Sequence, residues 1–144
     1  MSLHQPYDPD NIFAQIIADQ MPAVKIIEDT DTMAFMDLFP QTDGHCLVIS
    51  KTAMATNLLE IPRENLEKLI ASVQRIAIAV EKAFKPDGIK VLQFNGSDAG
   101  QTVFHLHFHI IPTYAGQKAR GHSSGKPAES EYLSQLAKKI AGQL

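Results

Sequence analysis

The chain has no tryptophan, and its 144 residues include a single cysteine, Cys46. One thiol excludes an intrachain disulfide and any site built on a cysteine pair. Cys46 sits within "HCLVIS", where a small buried hydrophobe is its expected role. Long apolar runs are missing too: no stretch approaches the ~20 residues that a membrane-crossing helix needs. Charge of one sign does not dominate. Thirteen basic against sixteen acidic residues give a net charge of −3. That balance argues against a general nucleic-acid binder and leaves a local phosphate site open. The opening residues, "MSLHQPYDPDN", hold no basic stretch followed by an apolar core. A cytoplasmic protein without membrane or nucleic-acid partners is therefore expected.

What is present fits one domain over 1–144, with 44% hydrophobic and 20% charged residues. Asp10 stands as a candidate N-cap for "NIFAQIIADQ", whose Ile12, Phe13, Ile16 and Ile17 repeat at helical spacing, and Pro22 closes that region. "AVKIIED" and "TMAFMD" read as a hairpin turned at "DTD", and "HCLVISK" as a third strand. From Pro62 to Lys85, Leu66, Leu69, Ile70, Val73, Ile76, Val80 and Phe84 form the stripe of a long amphipathic helix. A second set, Ala71, Ala77, Ile78 and Ala79, lies partly off that stripe and suits contact with a second subunit. "IKVLQF" reads as a fourth strand, "NGSDAG" as a loop, and "TVFHLHFHIIP" as a fifth strand closed by Pro112. Residues 115–128 are small, polar and unpatterned, which predicts a mobile loop. A C-terminal helix is expected over 129–144. Short connections between strands make the class α+β, with an antiparallel five-stranded sheet, one long and one short helix, and the C-terminal helix.

The most informative stretch is "HLHFHII", with His105, His107 and His109 at alternate positions. On a strand these rings share one face with Val103, while Phe104, Leu106, Phe108 and Ile110 point into a core. Three readings compete. One zinc ion cannot take all three rings, since His105 and His109 would be roughly 13 Å apart along a strand. Two of them with His45 or an acidic residue remain a possible metal set. The row can also be an amphipathic strand whose polar face happens to be histidine. Third, the loop "NGSDAGQT" can turn backbone amides inward as an anion-binding nest, holding a phosphate near Gly100–Val103 beside His107. A neutral imidazole there can attack phosphorus and divide one difficult displacement into two. Its second nitrogen then needs a fixed acceptor.

The stretch "HLHFHII" resembles the signature of the histidine-triad (HIT) superfamily of nucleotide hydrolases and transferases. "NIFAQIIADQMPA", "MAFMDLFPQTDGHCLVISK" and "AGQTVFH" resemble that family's first helix, strand–loop–strand region and phosphate loop, so the likeness covers residues 11–112 in order. It implies a HIT-like fold, usually a homodimer joined through the long helix. It further implies transfer or hydrolysis of a purine nucleoside monophosphate, from phosphoramidates or dinucleoside polyphosphates, through a nucleotidyl–histidine intermediate. A nucleotide-sensing or scaffold protein with little turnover is the rival. By the resemblance His107 is the nucleophile, His105 supplies the carbonyl that orients it, and His109 and His45 complete the catalytic set. Asp37 receives the ribose hydroxyls, and Ile12, Phe13, Ile16, Phe35 and Leu38 form the base pocket. Gly100, Gln101, Thr102 and Val103 hold phosphate, with Asn95 a further nucleotide contact. Two departures stand out. Relatives often carry Asn or Gln where this chain has Phe94, flanked by Gln93 and Asn95. Some bacterial relatives bind zinc through Cys-x-x-Cys, where this chain has Asn11 and Ala14. No metal site and no required cofactor are expected, although Mg²⁺ is compatible with a polyphosphate substrate.

Overall fold

A computed structural model describes residues 3–120 and 125–144. The side chain of Asn11 accepts from the amides of Phe13 and Ala14 at 3.0 and 2.9 Å, opening α1 (Ile12–Ile17). It thereby takes the capping role expected of Asp10. The helix stops well before Pro22, because Asp19 adopts φ 58°, a left-handed conformation that no right-handed helix can continue.

Next come β1 (Lys25–Glu28) and β2 (Thr32–Met36), turned where the Asp29 carboxylate accepts from the amides of Asp31 and Thr32. β3 (Cys46–Ser50) follows, then α2 (Arg63–Phe84), β4 (Gly88–Leu92), β5 (His107–Thr113) and α3 (Ser130–Ala141). The five strands pair antiparallel in the order β1-β2-β3-β5-β4. Among the described residues no helix is long and apolar enough to cross a membrane.

Both faces of the sheet are covered, which explains why β2 and β3 read as nearly continuous apolar runs. On one face Ala34, Val48 and Ile110 meet Leu69, Val73 and Ile76 of α2 and Leu133 and Ile140 of α3. On the other, Met33, Phe35, Leu47 and Ile49 meet Phe13 and Ile16 of α1. Each of the larger side chains, fully buried, contributes roughly 1.5–3 kcal/mol. On α2 the split differs from the sequence reading. Ala79 joins the core, whereas Ile70 and Ile78 lie 46% and 47% exposed.

The fifth strand is shorter than predicted and shifted: it starts at His107 rather than near Thr102, and Pro112 lies within it. The β3–β5 ladder ends at Ile49 opposite His107. Beyond that point the carbonyl of Ser50 accepts from the His105 ring, so a side chain takes the acceptor that a longer strand would use. The polar segment 115–128 is fastened at both ends. Arg120 donates its amide to Gln41 and its Nε to the Pro40 carbonyl, and the amide of Ala128 reaches the Leu38 carbonyl. Its middle, including His122, lies outside the described residues.

Gly44 governs the entry to β3. Its φ is +99°, and a Cβ there would meet the Phe84 ring at 2.8 Å and Pro112 at 3.1 Å. Gly44→Ala combines left-handed strain with a clash between packed elements, so it should cost about 2–4 kcal/mol. A chemical denaturation midpoint that does not move would contradict this packing.

Candidate active site

Strand alternation sets the site. With Leu106, Phe108 and Ile110 committed to the α2 core, His107 and His109 must face α1. His105 lies just before the strand. Its Nε2 is 3.0 Å from the Ser50 carbonyl, and its Nδ1 is 2.7 Å from the Tyr7 hydroxyl. A carbonyl only accepts, so Nε2 carries the proton and Nδ1 accepts from tyrosine. Burial disfavours the charged ring and pushes the His105 pKa below its ordinary value.

The carbonyl of His105 in turn lies 2.7 Å from His107 Nδ1. The same logic puts a proton on that nitrogen and leaves the lone pair on Nε2. Phe13 packs edge-on against the His107 ring, with centroids 4.9 Å apart, which restrains its tilt.

A second chain of bonds runs behind His109. Fully buried His45 accepts the Gln41 amide at Nδ1, 2.9 Å away. Its Nε2 therefore bears the ring proton, and it lies 2.9 Å from His109 Nδ1 and 3.2 Å from Asp37 Oδ2. The other Asp37 oxygen accepts from the Phe39 amide at 2.8 Å. His45 thus offers one proton between two acceptors.

Asp37, His45 and His109 also form a candidate metal cluster. Their facing atoms are 2.9, 3.2 and 3.8 Å apart. A tetrahedral zinc ion would spread its ligands about 3.3–3.4 Å apart, so the spacing alone fits. Protonation does not fit: a metal needs the Nε2 lone pair of His45, and the Gln41 amide fixes the proton on that nitrogen. At the positions of the relatives' cysteine pair, Asn11 is spent on capping α1 and Ala14 has no donor atom. Those residues do not suit zinc either.

A cavity of about 580 Å³ opens beside these rings. It is lined by Ile12, Phe13, Ile16, Phe35 and Leu38 on its apolar side, and by Asp37, Thr102, Val103, His107 and His109 at its polar end. Ten of the predicted site residues therefore meet in one space.

The other five do not line it. His45 and His105 are buried supports. Gln101 is buried; its side chain accepts from the Gly96 amide and donates to the carbonyls of Thr56 and Val103. The amides of Gly100 and Gln101 are spent on the carbonyls of Ser97 and Gly96, so neither is left to hold an anion. Asn95 accepts from the Leu58 amide and from Gln93, which makes it a loop fastener and not a cavity residue. Phe94 packs 5.6 Å from the His109 ring. Residues the sequence reading missed are Tyr7, Ser50, Gln41 and Ser130. Ser130 and Leu133 of α3 line the cavity. Of these two only Leu133 carried a signal, its helical spacing with Tyr132, Leu136 and Ile140.

Comparison with known proteins agrees with this fold. A family model described as the HIT domain matches residues 18–116. The crystal structure of a Hit-like protein involved in cell-cycle regulation from Bartonella henselae superposes with a TM-score of 0.91 at 47% identity, covering 97% of this chain and all of that one. Protein hit of Bacillus subtilis is 39% identical over 137 residues, 90% of this chain and 94% of its own length. The adenosine 5'-monophosphoramidase HNT1 of Saccharomyces cerevisiae is 38% identical over 138 residues, 96% of this chain and 83% of its own. With His107 and His109 on β5 and His105 just before it, its open five-stranded antiparallel sheet and these relatives, the chain belongs to the histidine-triad family.

Proposed function

We propose that this protein binds a purine nucleotide and transfers or hydrolyses its nucleoside monophosphate through a covalent adduct on His107. The observation that carries the reading is the bond from His107 Nδ1 to the His105 carbonyl, which leaves Nε2 as a nucleophile beside the cavity. In the first step Nε2 attacks the α-phosphorus, and the bond from phosphorus to the leaving group breaks. A phosphoramidate releases an amine, which takes up a proton; a dinucleoside polyphosphate releases a nucleotide anion. In the second step water attacks phosphorus, the P–N bond to His107 breaks, and nucleoside monophosphate leaves. The adduct makes the ring cationic, and the His105 carbonyl is placed to stabilise it. The chemistry at His107 needs no metal; Mg²⁺ would enter only with a polyphosphate.

The apolar wall of Ile12, Phe13, Ile16, Phe35 and Leu38 suits a base, Asp37 the ribose diol, and Thr102 with Val103 the phosphate. A phosphoramidate is the substrate favoured by the yeast relative's activity. We further propose a homodimer, built on the exposed Ile70 and Ile78 of α2 and on the edge strand β4, whose Val91 is 45% exposed.

Turnover of adenosine phosphoramidate and diadenosine polyphosphates tests the reading. His107→Ala should lower kcat by at least about a thousandfold while nucleotide affinity stays within a few-fold, because the base and phosphate contacts lie elsewhere. A variant that keeps a tenth of normal kcat would remove His107 from the nucleophile's role. Asp37 offers a second test. The wild type should prefer ribonucleotides over 2′-deoxy analogues by about ten- to a hundredfold, the worth of a hydrogen bond to a charged acceptor. Asp37→Ala should bring the two within about threefold. It should also cost about 1 kcal/mol of stability, through the lost bond to the Phe39 amide. Undiminished ribose preference in a folded variant would reassign Asp37 to the turn and the histidine network alone.

A further inference from the structure

The peptide that holds His107 is itself held by little of the sheet. Residues 101–106 lie outside the ladder, so no strand partner fixes the His105 carbonyl. One backbone bond, from the Leu106 amide to the Ala55 carbonyl at 2.9 Å, secures its far side. The rest of the restraint comes through the His105 ring, gripped at Nε2 by the Ser50 carbonyl and at Nδ1 by the Tyr7 hydroxyl. We propose that Tyr7 is a positioning residue: by clasping the His105 ring it fixes the carbonyl that in turn sets the nucleophile His107.

Several observations support this role. The ring is 2% exposed, so a missing donor at Nδ1 would leave a buried acceptor without water to replace it. A ring clamped at both nitrogens cannot turn about either side-chain bond, and the attached carbonyl stays aimed. With Nδ1 engaged by a hydroxyl and Nε2 by a carbonyl, only one tautomer satisfies both partners. The segment bearing Tyr7 is anchored on either side. Asn57 donates to the Leu3 carbonyl at 2.9 Å, and Asn11 reaches the Asp8 carbonyl through both its amide and its side chain. Burial raises the Tyr7 pKa, which keeps the phenol protonated as a donor. Tyr7 also precedes the residues 18–116 that match the family domain, so the clasp is supplied from outside that match.

The inference rests on the proposed reaction for its kinetic readout, and an NMR readout keeps the two separable. Tyr7→Phe preserves the ring and its packing and removes only the hydroxyl. On a phosphoramidate substrate it should lower kcat about five- to twentyfold with KM within twofold. In a His105→Gln background, where the clasp is already gone, the same change should lower kcat less than twofold further. In ¹⁵N-histidine spectra the unprotonated Nδ1 of His105 should move downfield on losing its donor, and the His107 signals should broaden or split as the ring gains freedom. Those spectra need no turnover, so they test the clasp even if the wild type proves inactive. Unchanged kcat in Tyr7→Phe, full additivity with His105→Gln, or histidine spectra identical to wild type would each overturn the proposal.

Discussion

A single hydrogen bond, from His107 Nδ1 to the carbonyl two residues earlier, is the constraint on which the site depends. It decides which nitrogen keeps its proton and which keeps its lone pair. Everything around it serves to keep that carbonyl and that ring in place. The sheet register puts His107 opposite Ile49, and Phe13 restrains its tilt. The late start of β5 frees His105 to spend its ring on Ser50 instead of its amide on a strand partner. A longer strand would have satisfied the backbone and lost the support.

The two outer histidines are handled differently from each other. His105 is buried, its ring held between Ser50 and Tyr7 and its carbonyl bonded to His107. His109 faces the cavity and communicates with Asp37 by way of His45, whose proton has two acceptors within 3.2 Å. The proposed ribose contact and the histidine network thus share one carboxylate. The same three residues have nearly the spacing of a zinc site, yet the Gln41 amide fixes the wrong nitrogen for a ligand. A backbone amide decides the chemistry there, not the residue types.

Much of this was legible in the sequence, because a strand that is merely amphipathic has no reason to alternate His with Leu, Phe and Ile three times over. The five-stranded antiparallel sheet followed from patterns of that kind, and the ten cavity residues from the resemblance of residues 11–112 to the histidine-triad family. What stayed hidden depended on backbone atoms. Gly100, Gln101 and Asn95 have side chains or positions suited to a phosphate loop, but the amides of Gly100 and Gln101, the Gln101 side chain and the Asn95 Oδ1 are engaged within the loops. Asp10 and Asn11 are both good caps, and only the geometry chooses between them. Tyr7 sits in a stretch with no periodicity, so nothing in its neighbours pointed to His105. Ser130 reaches the cavity only because α3 packs across β1 and α2.

The central claim is that His107 Nε2 carries the nucleotide during turnover. The most direct measurement is a rapid alkaline quench of the protein with adenosine phosphoramidate, followed by peptide mass spectrometry. The account predicts an adenylyl group on the peptide containing "HLHFHII", with fragmentation placing it on His107. An adduct on His105 or His109, or turnover without any adduct on the chain, would contradict it.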